Sequence, residues 1–296
     1  MSSTHEAPHP RWDLALVALT LLAALGSPLH IGPMGRAIVL VAAGLAFAVR
    51  PQILQHHLAW FVLAGSFAVT IFSDLFAMGN HHFLGAYLSL ATGLVLWGRS
   101  AHWREQWANN GRWLLVGVMV FAVVQKLLSP EYLRGDFWGY FLSFGLAGKF
   151  VFATGFWDGT VEVFRQNREF HREFLAALGG SGLTDGAAAT LKEPFPHFKI
   201  IVLVLTWGTL AAEALIALGF LLFRRALLAH IFLMGFVLLL TLIRPEVEFA
   251  ALLLVLGFMV CSSARQRVLR ISYGVGVALC LVLSLILQNV GLGVAF

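Results

Sequence analysis

Charge is what this sequence has least of. Lys and Arg number 20 and Asp and Glu 15 among 296 residues, so 12% of the chain is charged while 59% is hydrophobic. Soluble domains carry about 25% charged residues, and half that density excludes an ordinary water-soluble fold. Cysteine is scarcer still. Cys261 and Cys280 are the only two, both inside apolar runs and with no CxxC or zinc spacing, which excludes a disulfide framework and leaves small core hydrophobes. Catalytic signatures are missing as well: there is no GxSxG elbow, no kinase set, and no HExxH or HxxxH pair on an apolar stretch. The Gly-rich run Gly179 to Gly182 is not followed by Gly-Lys-Ser/Thr, which excludes a phosphate loop. Alternating ten-residue strands are absent, which excludes a β-barrel.

What is present is a succession of apolar blocks of about 15 to 25 residues, the length that crosses a bilayer as a helix. They run from Trp12 to Ser27, Met34 to Val49, Leu58 to Met78, His82 to Gly98, Arg112 to Ser129, Lys199 to Phe223, Ala226 to Ile243, Val247 to Cys261, and Leu269 to Gln288. The expected fold is therefore all-α: a polytopic integral membrane bundle of about nine transmembrane helices, forming a single domain over residues 1–296. The first block has signal-peptide length and Ala24-Leu25-Gly26 is a passable cleavage site, but its weakly basic flank favours a retained first span.

The net charge of +5 comes from basic residues scattered singly or in small groups between apolar blocks. That pattern orients helices across a bilayer and does not point to nucleic acid. A tenth apolar run, Phe137 to Phe156, contains Lys149. If it is re-entrant or interfacial and does not change sides, the groups Arg50, Arg99/Arg104/Arg112, Arg224/Arg225 and Arg265/Arg267/Arg270 all fall in the cytoplasm. The expectation is a multi-pass cell-membrane protein with a cytoplasmic N-terminus and an outer C-terminus. Residues 157–198 form the one long polar connection, in which Glu162 to Leu178 reads as an amphipathic helix, with Phe164, Phe170, Phe174 and Leu178 at mostly helical spacing. Such a helix lies on the membrane surface or docks a partner.

This topology gathers polar residues at the outer helix ends: Asp74, then Asn80, His81 and His82, then Lys126, Glu131 and Arg134, and finally Arg244, Glu246 and Glu248. A shared, partly dry depth perturbs proton affinities and makes the group a candidate binding pocket; structural ion pairing accounts for the same pattern. Lys126 is best placed for chemistry. Counting back from Pro130 at about 1.5 Å per residue puts its Cα about 6 Å into the helix. There a neutral amine acts as base or nucleophile, while an ordinary lysine snorkels or pairs, with Glu131 or Asp74 as partners. His81 and His82 are adjacent, so their side chains leave a helix about 100° apart and only one is expected to face a site. Glu213 sits mid-span in LTWGTLAAEALIALGF, as either a protonated bonding partner or a proton-path acid, and His230 lies near the inner end of the next span. No metal site is expected.

Two stretches, GNHHFLGAYLSL (Gly79 to Leu90) and FAVVQKLLSPEYLRGDFWGY (Phe121 to Tyr140), together resemble the HTTM domain, the membrane module of vitamin K-dependent γ-carboxylases and of many bacterial proteins. The likeness lies in an Asn-His opening one span, a lysine late in the next, and an acidic, aromatic, glycine-containing segment after it. The resemblance implies that Lys126 is a base toward a quinol, with His81 assisting proton transfer, and that a quinone is the cofactor. The sequence closes at Phe296 after its last apolar block, so the expectation is such a module without the carboxylase soluble domain. Quinone-linked or proton-abstracting chemistry is one functional reading. The other is a non-enzymatic membrane partner or peptide-maturation subunit that binds a small peptide or protein.

Overall fold

The structure is a computed structural model and describes residues 11–26, 33–73, 80–144, 160–179, 191–223, 227–243, 246–261 and 266–289. All regular structure among these residues is helical. In chain order the helices are α1 (Arg11–Gly26), α2 (Pro33–Val49), α3 (His57–Ser73), α4 (Asn80–Trp97), α5 (Trp103–Leu127), α6 (Pro130–Leu133), α7 (Asp136–Ser143), α8 (Thr160–Gly179), α9 (Phe198–Leu222), α10 (Leu227–Ile243), α11 (Val247–Val260) and α12 (Arg267–Asn289), with a 3-10 turn at Pro51–Gln55. Each of the nine apolar blocks forms a helix. Three of them, α5, α9 and α12, are long and apolar enough to cross a membrane by length and composition.

Large apolar side chains cover the helix surfaces: Phe72 is 83% exposed, Val62 69% and Leu228 67%. An isolated apolar side chain on a soluble surface needs no explanation, but bands of them along successive helices require a hydrocarbon solvent. That is the surface of a membrane protein.

Two compact units are present, residues 1–118, 217–237 and 246–296 in one and residues 119–216 and 238–245 in the other. In the larger unit α3 packs on α4 and α11 on α12, with α1 touching α2, α4, α11 and α12. Glycine permits the close approaches. A Cβ on Gly85 would lie 2.6 Å from the Phe67 ring, and one on Gly257 2.5 Å from Tyr273, so only a bare backbone fits at these crossings. The α11 helix is buried along almost its whole length. Polar contacts pin the helix ends. Asp13 near the start of α1 pairs with Arg270 near the start of α12, and Arg112 Nη2, ten residues into α5, donates to the Leu221 carbonyl at the end of α9 at 3.4 Å.

In the smaller unit the core comprises Tyr132, Trp138, Phe141, Leu142, Phe195, Phe198 and Val202, flanked by Phe137, Ile201, Leu205 and Ile243. The α7 helix is the described part of the run from Phe137 to Phe156; at about 1.5 Å per residue its 8 residues span about 12 Å, too short to cross a bilayer. Residues 145–159 lie outside the described set. The amphipathic α8 agrees with the expected segment, and Phe164 is buried on its inner face. The inner face also carries a polar residue. Buried Asn167 donates to the carbonyls of Ser143 and Lys192, each at 2.9 Å, and accepts from the Lys192 N–H at 3.0 Å. The side chains of Phe174 and Leu178 lie outside the described set.

On the outer face of α8, Arg165 bridges Glu162 (2.7 Å) and Glu169 (2.9 Å). Hydrogen bonds from Arg165 and then Gln166 hold the Glu162 carboxyl down at about 2, while the same bonds raise the Arg165 guanidinium. Because the folded value is depressed, the contribution of Glu162 is complete above its ordinary value near 4.5 and is lost as pH falls toward about 2. A carboxyl NMR titration is expected to place the Glu162 midpoint near 2, and Arg165→Gln to return it to the ordinary carboxylate range. Amide protection in the first turn of α8 should fall over the same acidic window.

Candidate functional site

The site forms where α5 stops. Leu128 and Ser129 leave the helix, the Ser129 hydroxyl accepts the Tyr132 N–H at 3.2 Å, and Pro130 occupies the first position of α6. These are standard helix-start devices: a side-chain acceptor for an orphan amide, and a proline where no amide donor is required. The short α6 ends at Gly135, whose φ of 90° is a left-handed conformation that glycine adopts without strain. A side chain there would also meet Val202, its Cβ falling 2.5 Å from the Val202 Cγ1. The turn sends the chain back into α7 and brings Tyr132 beneath Lys126.

Lys126 Nζ donates to both carboxylate oxygens of Glu213, at 2.5 and 2.6 Å. The lysine side chain is 21% exposed and the glutamate 7%, so the pair is largely withdrawn from solvent with the ammonium as its more accessible end. The Tyr132 ring centroid lies 5.5 Å from Nζ, within cation–π range, and Trp138 Nε1 donates to the Tyr132 hydroxyl at 3.3 Å. Ammonium, carboxylate, phenol and indole thus form a connected polar and aromatic group on α5, α9, α6 and α7. The partner the structure gives Lys126 is Glu213. Glu131 accepts from its neighbour Ser129 at 3.2 Å, and Asp74 lies outside the described residues. The reason is geometric: Glu131 is spent on its own helix start, whereas the α5 and α9 side chains meet.

The other expected site residues that are described have partners within their own units. Arg134 forms an exposed ion pair with Asp136 at 3.0 Å, local to the turn. Arg244 lies outside the described residues, as does the side chain of Asn80, which opens α4. In the larger unit, Glu248 is 3.5 Å from Arg36 and accepts from Ser284 at 2.9 Å, so its partners come from α2 and α12. His82 is buried and His81 half-buried, with their ring centroids 3.9 Å apart. The expected divergence of about 100° describes how the side chains leave the helix; rotation about the side-chain bonds brings the two imidazoles into contact. Lys126 and His81 belong to different compact units. His230 is fully buried, its Nδ1 2.9 Å from the Tyr273 hydroxyl, and Cys261 Sγ is 3.8 Å from the same nitrogen. Among the described residues no group of three or more His, Cys, Asp or Glu is arranged to hold a metal.

Sequence reasoning missed Tyr132, Arg36 and Asn167. Tyr132 was within reach, because a tyrosine directly after Ser-Pro-Glu at a helix start folds back toward the end of the preceding helix.

No family model, curated protein or solved structure matches the chain.

The pair makes a firm energetic statement. Removing one member of a buried ion pair strands the other without compensation, at about 3 kcal/mol, while removing both is far milder. Lys126→Met and Glu213→Leu are each expected to lower the thermal unfolding temperature in detergent, and the double variant to recover most of the loss. Additive losses would mean that the two groups do not depend on each other.

Proposed function

We propose that this is a multi-pass membrane protein in which Lys126 and Glu213 act together as a proton-transfer couple toward a quinol-type substrate at the membrane boundary. The observation that carries the reading is the short bidentate contact between an ammonium and a carboxylate whose residues lie 87 positions apart in two apolar helices. Membrane helices rarely retain such groups, and a retained pair is a functional candidate by default.

The chemistry follows from the contact. Transfer of one proton from Nζ to the Glu213 carboxylate leaves a neutral amine beside a neutral acid, with no net change in charge. The amine then takes the hydroxyl proton of a hydroquinone, forming the quinol anion beside a restored ammonium. That ammonium stabilises the anion, the more strongly because the surroundings are of low dielectric, while the Tyr132 ring face favours the ammonium. His81 is given no role in this step. The resemblance of Gly79 to Tyr140 to HTTM modules supports the choice of a quinol as substrate.

The same reading takes nine helices as spans. The basic end of the larger unit, marked by Arg50, Arg99, Arg104, Arg112, Arg267 and Arg270, faces the cytoplasm by the positive-inside bias, which makes the N-terminus cytoplasmic.

A second reading rests on α8, which Asn167 fixes from within while Arg168, Arg172 and Glu173 remain exposed. A membrane subunit that docks a small acidic protein would present such a face. Co-purification of a stoichiometric partner that is lost on Arg168→Glu/Arg172→Glu would favour that alternative.

Lys126→Arg separates chemistry from folding. Arginine keeps the ion pair but does not give up its proton at accessible pH. With a soluble naphthohydroquinone added anaerobically to the reconstituted protein, the wild type is expected to show the absorbance of the bound hydroquinone anion. The Lys126→Arg protein, with its unfolding temperature unchanged, should bind the neutral form. Absence of the anion in the wild type would refute the couple.

A further inference from the structure

At the basic end of the larger unit, α1, α2, α11 and α12 enclose an open groove of about 530 Å³. Phe47 and Phe258 contribute apolar walls, and Trp12, 75% exposed, stands at its rim. Gly44 and Gly274 open its sides: a Cβ built on either meets nothing within 4 Å. The space is lined mainly by apolar surface, suited to hydrocarbon chains.

Among the described residues its charged lining comprises Asp13, Arg267 and Arg270. Asp13 is paired with Arg270, whose guanidinium also lies 4.7 Å from the centroid of the Phe258 ring. Arg267 is exposed and has no ion pair among the described residues. With Asp13 and Arg270 offsetting each other, the groove carries one unbalanced positive charge, and the charge of Arg104 also reaches Asp13. An exposed tryptophan beside arginines at a helix start is what an interfacial headgroup zone requires. Basic pockets between membrane helices on the cytoplasmic side recognise anionic headgroups.

We propose that this groove binds an anionic phospholipid, with the phosphodiester on Arg267 and the acyl chains along the apolar walls beside Gly44 and Gly274. A phosphodiester carries one negative charge, which matches the one uncompensated arginine. A zwitterionic lipid presents an added cation to a groove in which the one carboxylate among the described lining residues, Asp13, is already paired. The assignment is independent of the Lys126 couple.

The test is native mass spectrometry of the full chain released from nanodiscs of equal phosphatidylglycerol and phosphatidylcholine. Incorporation into the disc tests the membrane reading, and the identity of the retained lipid tests the site. Wild type should retain phosphatidylglycerol over phosphatidylcholine by about fivefold, the effect of one arginine near a membrane surface. Arg267→Gln should bring the ratio close to one and Arg267→Lys should preserve most of it. Gly44→Leu and Gly274→Leu, at each of which a Cβ meets nothing within 4 Å, should lose the retained lipid with the unfolding temperature of the lipid-free protein unchanged. A wild type without preference, or an undiminished preference in Arg267→Gln, would overturn the proposal. Displacement of the lipid by millimolar inorganic phosphate would overturn the lipid assignment in favour of a simple anion site.

Discussion

An ionised side chain carried into hydrocarbon by an apolar helix has to find its counter-charge on another helix, and the architecture of this protein depends on that constraint. Lys126 meets Glu213, linking α5 to α9. Arg36 meets Glu248, which also receives the Ser284 hydroxyl, linking α2, α11 and α12. Asp13 meets Arg270, linking α1 to α12. Every one of these joins helices far apart in the chain. Desolvation offsets much of the attraction within such a pair, so its value lies less in net stability than in the strong penalty for any packing that separates the partners. Leucine-rich helix surfaces slide against one another with little preference. Three charge pairs remove that freedom by fixing particular residues opposite each other.

Much of the helical framework was legible for the same reason that it is stable. Long apolar runs with little charge leave the backbone no alternative to internal hydrogen bonding, so the nine blocks become helices. Their boundaries were less legible. The fifth block was placed from Arg112, but α5 begins at Trp103, because Trp107 and Ala108 are buried and the helix runs through a segment that composition alone assigns to a loop. The amphipathic α8 was legible from its charges and phenylalanines. Asn167 was not, since an asparagine among arginines and glutamates reads as part of the wet face, and only the carbonyls of Ser143 and Lys192 explain its burial.

The candidate site was half legible. Lys126 and Glu213 were each conspicuous as charges in apolar surroundings, yet they were assigned to different places: Lys126 to an outer helix end, Glu213 to mid-span. Depth counted along each helix assumes that every helix stands upright and starts from the same plane. Side-chain length alone undermines that assumption, since a lysine places its charge about 6 Å from its Cα. The contact between positions 126 and 213 is a property of packing that no local pattern encodes. Conversely, the outer-end cluster read from the sequence treated groups at similar nominal depth as neighbours, whereas Arg134 and Glu131 are satisfied within their own turn.

The turn from Ser129 to Gly135 explains how one contact serves both structure and proposed chemistry. An ammonium has three N–H donors, and Glu213 takes two of them. The third is not engaged by the pair that holds α5 to α9. Tyr132 sits 5.5 Å from Nζ because Ser129 starts α6 and Gly135 ends it, so the turn sets a buried aromatic ring beside the ammonium. Trp138 then anchors the phenol through its hydroxyl. On the proposed reading, the carboxylate that fixes α5 to α9 is also the group that takes the lysine's proton, so that the structural and the chemical role fall on one pair of residues.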